Sequence, residues 1–211
     1  MTFVPDLSPV SRPGSRFLLA GVGASAGGLR AYRQLLGALP AGAPLALAAI
    51  NHAQNAERNL LAEALRGHSA LPVLEVEPAM PIAPGRLYVI PAGCDLTLSP
   101  GGTAFELAPV AKPQGWPRAV LVFLEALAQR WPGGAAAVIL SGTGFDGADA
   151  LCRVRAAGGW VFAQAPGTAE FPDMPHRAIL TGCVDGVLPP EQIGQELLRL
   201  ATEPNGGRRP R

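Results

Sequence analysis

What this chain lacks narrows its chemistry first. No stretch of its 211 residues approaches the roughly 20 consecutive apolar side chains of a membrane-spanning helix, although 48% of them are hydrophobic. Neither sign of charge dominates. Seventeen lysines and arginines face 16 aspartates and glutamates, a net charge of +1, and no basic stripe marks a nucleic-acid surface. Cysteine is scarce. Cys94, Cys152 and Cys183 are odd in number and far apart, with no metal-ligand spacing and no plausible disulfide framework. They read as small buried hydrophobes in a reducing compartment. Neither a metal nor a cofactor is expected, and no repeat of fixed period is present. The most informative absence is acidic: neither Asp nor Glu occurs between Asp6 and Glu57.

That gap bears on residues 21–28, Gly-Val-Gly-Ala-Ser-Ala-Gly-Gly. Gly21-x-Gly23-x-x-Ala26 fits a dinucleotide fingerprint, which needs an acid about 20 positions later to hold a ribose. The next strand candidate, Leu45 to Ile50, runs instead into Asn51-His52. A secretory leader is a second reading, with Arg12 and Arg16 before an apolar stretch and Ala24-Ser25-Ala26 as a cleavage site. Gly21 and Gly23 break that stretch too early. A third reading uses every residue. Phe17-Leu18-Leu19-Ala20 precedes the segment, and Leu29, Tyr32, Leu36 and Leu39 fall on one helical face after it. Gly23-Ala24-Ser25-Ala26-Gly27 then has the G-x-S-x-G spacing of a nucleophile elbow, where small neighbours allow a sharp turn that exposes the serine hydroxyl. The amides of Ala26 and Gly27 open a helix and can stabilise an oxyanion.

Apolar strand patterns alternate with helical ones along the rest of the chain. Strands are expected near 16–22, 45–50, 73–76, 135–140, 159–164 and 183–187. Helices are expected to Leu39, over 57–65, from Pro117 to Trp131, to Ala157 and over 190–200. Residues 85–107 alternate between Gly and Pro turns and predict an antiparallel excursion, followed by a Pro-rich loop over 108–117. The fold class is therefore α/β, a doubly wound, mostly parallel sheet of Rossmann-like type with an antiparallel hairpin. Residues 16–202 form the domain. Residues 1–15 are expected to be flexible, and 203–211 to be a disordered basic tail.

In open parallel sheets, sites form beyond the carboxyl ends of the strands. Three reactive types fall there: Ser25 after the first strand, His52 after the second and Asp146 after the 135–140 strand. Together they are the parts of an acyl-transfer triad, in which imidazole takes the serine proton and carboxylate orients the imidazole. Each residue alone also has a plain structural reading, and for Asp146 it is a helix N-cap. Gly142-x-Gly144-x-x-Gly147 repeats the dinucleotide spacing, but Asp146 inside it opposes a pyrophosphate. His68 and His176 read as surface residues. Asp95 and Asp173 are alternative acids that follow no predicted parallel strand directly.

These segments resemble the catalytic domain of CheB-type protein-glutamate methylesterases of bacterial chemotaxis, over nearly all of residues 16–200. The resemblance rests on the Ser25 turn, the strand ending in His52, Pro84-Gly85 with Tyr88-Val89-Ile90-Pro91-Ala92-Gly93, and Leu140-Ser141-Gly142-Thr143-Gly144-Phe145-Asp146-Gly147-Ala148. Gly158-Gly159, Ala163-Gln164 and Met174-Pro175 complete it. It implies a cytoplasmic hydrolase that removes γ-methyl esters from glutamates of a chemoreceptor or receptor-like coiled coil, and in some members deamidates glutamine. Ser25, His52 and Asp146 would be catalytic, with the amides of Ala26 and Thr143 facing the oxyanion. The chain departs from the family at Thr143, usually methionine, and at Glu57, Arg58, Ala64 and Arg118, which bear on substrate specificity. Fifteen residues before the first strand cannot hold a phosphorylatable receiver domain, so a separate regulatory chain is expected if control by phosphorylation exists. A catalytically weak receptor-binding module and a small-molecule serine esterase are the alternatives. Neither nucleic acid nor membrane insertion is expected.

Overall fold

A computed structural model of the chain describes residues 17–51, 60–110 and 118–203. In chain order the elements are β1 (Leu18–Ala24), α1 (Gly28–Gly37), β2 (Leu45–Asn51), α2 (Leu60–Arg66), β3 (Val73–Glu75), β4 (Arg86–Val89), β5 (Cys94–Leu98) and β6 (Phe105–Pro109). There follow α3 (Ala119–Arg130), β7 (Ala135–Ile139), α4 (Ala148–Ala156), β8 (Trp160–Gln164), α5 (Asp173–Leu180), β9 (Gly186–Leu188) and α6 (Pro190–Thr202). Seven strands make one parallel sheet in the order β3-β4-β2-β1-β7-β8-β9, and β5 and β6 pair antiparallel as a separate ribbon. The expected doubly wound sheet with a hairpin is what forms.

Both faces of the sheet are covered, which is why the central strands are apolar throughout. Leu18, Ala20 and Val22 of β1 pack with Leu35 of α1, Leu65 of α2 and Leu197 of α6. Leu19 looks the other way, into a core shared with α3, α4 and α5. Gly21 and Gly23 lie on that second face. A Cβ at Gly23 would stand 2.5 Å from Cγ1 of Val120, and one at Gly21 would stand 2.9 Å from Leu124 and Phe123. The paired glycines therefore admit α3 against the sheet.

Several expectations need correction. Arg86–Ile90 was expected within the antiparallel excursion, but β4 is an interior strand of the parallel sheet, between β2 and β3. Its short run between turns hides that partnership, which is set by a crossover from β3. Of the four residues expected on one face of α1, Leu29 is exposed, whereas Tyr32, Leu36 and, just past the helix, Leu39 are buried, with Gly28, Ala31 and Leu35 beside them. α2 buries Ala62 and Leu65 and leaves Leu60 exposed. α3 buries more than one stripe because the sheet lies on one side of it and the β5–β6 ribbon on the other.

The cysteine expectation fails outright. Cys152 and Cys183, 31 positions apart, form a disulfide with Cα atoms 5.1 Å apart. The path through β8 and α5 returns the chain beside α4, an adjacency that sequence spacing does not reveal. None of the three cysteines is buried: Cys152 is exposed, and Cys183 and the free thiol Cys94 are half-buried.

Candidate active site

The middle of the sheet is β2, β1 and β7, and the strand order reverses between β1 and β7. Loops leaving adjacent strands diverge at such a reversal and open a crevice at the carboxyl edge. The register brings the strand ends level: Ala24 pairs with Asn51, and Gly23 with Ile139. Ser25 is the next residue after β1. His52 is the next after β2 in sequence, and it lies outside the described residues together with Glu57 and Arg58.

The Ser25 turn closes tightly. The amide of Gly28 donates to the Ser25 carbonyl at 3.0 Å, and Gly27 takes a left-handed φ of 71°. Ala26 and Gly27 precede the first helical residue, so their N–H groups have no intrahelical acceptor. The amide of Ser25 donates to the Ser141 carbonyl at 3.0 Å. A Cβ on Gly142 would lie 3.0 Å from Cβ of Ser25, so the serine rests on bare backbone. The candidate nucleophile and the loop that leads to Asp146 are thus in direct contact.

Ser141 and Gln164, both about 1% exposed, hold that contact. The Ser141 hydroxyl donates to the carbonyl of Ala26 and accepts the amide of Phe171 at 3.0 Å. Its own amide donates to Oε1 of Gln164 at 2.8 Å, and Nε2 of Gln164 donates to the Thr168 hydroxyl. The amide of Gly142 bonds the Phe171 carbonyl, and the amide of Met174 returns to Gly142. The segment from Ala165 to Met174 therefore lies against the serine turn. Ser141, Gln164 and Phe171 were not among the expected site residues. The signal for Gln164 was present, as a polar end on an otherwise apolar strand.

Asp146 is half-buried in the loop after β7. Its two carboxylate oxygens accept the amides of Val120 and Leu121, at 2.9 and 3.0 Å. It does cap a helix, but the helix is α3 and not the adjacent α4, whose N-cap is Gly147. The negative charge thus sits at the positive end of the α3 dipole. An ionised carboxylate offers about four acceptor sites, so two amides do not exhaust it. Thr143 is exposed in the same loop, and so is Phe145, at 58%.

The other candidates lie apart from this chemistry. His68 follows α2 and His176 lies on α5, both exposed; Asp173 opens α5 at the surface, and Asp95 is buried in the β5–β6 ribbon. Among the described residues, no group of three or more His, Cys, Asp and Glu could hold a metal ion. No helix among them is long and apolar enough to cross a membrane.

Comparison with known proteins adds an independent line. The family model described as CheB methylesterase matches residues 20–197. The protein-glutamate methylesterase/protein-glutamine glutaminase 2 of Burkholderia lata is 35% identical over 187 residues, covering 88% of this chain and 55% of that protein. The protein-glutamate methylesterase FrzG of Myxococcus xanthus is 31% identical over 195 residues, 92% of this chain and 58% of FrzG. The chain thus spans little more than half the length of these relatives. The crystal structure of the Thermotoga maritima CheB methylesterase catalytic domain superposes with a TM-score of 0.82 at 30% identity, over 88% of this chain and 99% of that one.

Proposed function

This chain belongs to the CheB methylesterase family, and from that premise we propose that it hydrolyses γ-methyl esters of glutamate side chains on a receptor protein, releasing methanol. Ser25 is the nucleophile, His52 the general base and then acid, and Asp146 the carboxylate that orients the imidazole. The observation that carries this reading is the direct contact between the Ser25 turn and the Ser141–Gly142 segment of the Asp146 loop at the central strand ends.

The chemistry follows from those positions. A serine hydroxyl is a poor nucleophile at neutral pH until an imidazole accepts its proton. As Ser25 Oγ bonds to the ester carbon, the proton passes to His52, and charge gathers on the carbonyl oxygen. The amides of Ala26 and Thr143 are the donors assigned to that oxygen. Collapse of the tetrahedral intermediate breaks the bond to methoxide, which takes the proton from His52 and leaves as methanol. Water then attacks the acyl-enzyme by the same route, returning free glutamate and the Ser25 hydroxyl. The names of several relatives add a glutaminase activity. The same attack on a primary amide would release ammonia, and we assign that as a second capacity of the site.

The partner in this reading is a methylated chemoreceptor or receptor-like coiled coil in the cytoplasm. The test is methanol release from methylated receptor fragments. Ser25→Ala should abolish it while the melting transition is kept, and unchanged turnover in that variant overturns the mechanism. Receptor binding without turnover in the wild type would mark a binding module. Cleavage of short-chain esters alone would mark a small-molecule esterase.

A further inference from the structure

Tyr32 of α1 is 1% exposed, and its hydroxyl has an unusual pair of partners. It lies 2.7 Å from the carbonyl of Val22 in β1 and 3.1 Å from that of Ile50 in β2, and it donates to both. One proton is shared between two neighbouring parallel strands. Val22 is three residues before Ser25, and Ile50 is two residues before His52.

The β1–β2 ladder runs to Ala24 and Asn51, and the two Tyr32 bonds add to it from the α1 face. β1 ends Gly21-Val22-Gly23-Ala24, and Ala24 itself packs so close to α1 that a Cβ on Gly28 would stand 2.6 Å away. Side chains this small interlock little, so they define strand spacing weakly. For packing alone an aromatic ring without a hydroxyl would suffice, and it would avoid burying a polar group. A backbone carbonyl has two lone pairs, so the phenol can add a bond to each strand without displacing a ladder partner. Burial pushes this phenol far above the ordinary tyrosine range. It therefore stays a donor wherever activity can be measured.

We propose that Tyr32 is a positioning residue for this site: its hydroxyl, added to the ladder, fixes the spacing of β1 and β2 at the strand ends that Ser25 and His52 follow in sequence. The proposal rests on the assignment of Ser25 and His52 as the proton-transfer pair. Small errors in the approach of two reacting groups cost rate steeply, about a hundredfold for a displacement near 1 Å. Substrate binding at the surface does not depend on the spacing in the same way.

The experiment compares Tyr32→Phe with Leu197→Ala, which opens a cavity in the same core beneath α6. Methanol release from methylated receptor fragments is measured well below both melting transitions, with amide hydrogen exchange at residues 23–25. Tyr32→Phe should lower kcat about ten- to a hundredfold with KM within about twofold, and speed exchange at those amides. Leu197→Ala should melt earlier and keep its kcat. Wild-type kcat in Tyr32→Phe overturns the proposal, and so does an equal loss of kcat in Leu197→Ala. Either result, found together with an inactive Ser25→Ala, leaves the hydrolase reading standing, whereas an active Ser25→Ala removes that reading itself.

Discussion

The Ser141 hydroxyl donates to the carbonyl of Ala26 at 2.9 Å, across 115 positions of sequence. One oxygen thereby joins the residue after the candidate nucleophile to the loop after β7, and through the amide of Phe171 to the segment before α5. Ser141→Ala keeps the volume nearly unchanged and strips both bonds. The amide and the carbonyl left behind are part-buried, so the loss lies at or below about 1–3 kcal/mol each, the cost for fully buried groups that no water reaches. We expect a lower melting temperature and a reduced kcat, because Ala26, whose amide is the proposed oxyanion donor, loses the anchor on its carbonyl. Thermal melts together with methanol release check this, and full activity in the variant would show that Ala26 is held by the turn alone.

Asp146→Asn separates the two duties of that side chain. A carboxylate can accept from Val120 and Leu121 at once, whereas the carboxamide must turn its NH2 toward one of these donors. Loss of the α3 cap and of one buried bond predicts about 1–3 kcal/mol of destabilisation. If Asp146 orients and balances His52 as proposed, loss of its charge predicts a fall in kcat of about three to four orders of magnitude. A stability loss with turnover intact would reduce Asp146 to the helix cap.

The fold was legible where one element sufficed to define itself. Leu45–Ile50 and Ala135–Leu140 are unbroken apolar runs, and each is a central strand. The Ser25 turn was legible because glycine spacing, an apolar run before it and a helix after it all agree. The parts missed depend on contacts between segments distant in sequence. Arg86–Val89 pairs with β2 and β3 only through crossovers, and Cys152 meets Cys183 only after β8 and α5 are in place. Asp146 read as a cap for the helix beside it, yet it serves a helix that begins 27 residues earlier. Ser141 looked like an ordinary small residue in a glycine loop, since its partners Ala26, Gln164 and Phe171 come from three separate segments.

The Cys152–Cys183 bond ties α4 to the turn after α5 and closes a ring that contains the whole Ala165–Met174 segment. Cross-links over loops of this size restrict the unfolded chain and contribute about 3–4 kcal/mol. Cys152→Ser should therefore unfold at lower denaturant than the oxidised wild type, and excess dithiothreitol should bring the wild type down to the level of the variant. A free-thiol titration before and after reduction counts the cysteines involved. Three titratable thiols in the protein as isolated, and identical denaturation curves with and without reductant, would show that the pair is kept reduced.

Gly27 is the position at which the turn has no alternative residue. Its φ of 71° and ψ of −3° lie in the left-handed region, where a Cβ costs about 1–2 kcal/mol. Steric contact adds to this, because that Cβ would stand 2.7 Å from Oγ of Ser141 and 2.8 Å from Cβ of Glu170. Gly27→Ala must therefore push the 165–174 segment away from the serine turn or unwind the start of α1. Either movement disturbs the Ala26 amide before it disturbs the core, since Ala26 joins Ser25 to Gly27 while the buried face of α1 lies further along. We expect a melting temperature lowered by several degrees and a kcat lowered by more than that instability explains at a temperature where the variant is folded. Proteolysis should also become faster between Ala165 and Met174. A variant that keeps wild-type kcat would show that the turn tolerates displacement and that the Ala26 amide is not the oxyanion donor.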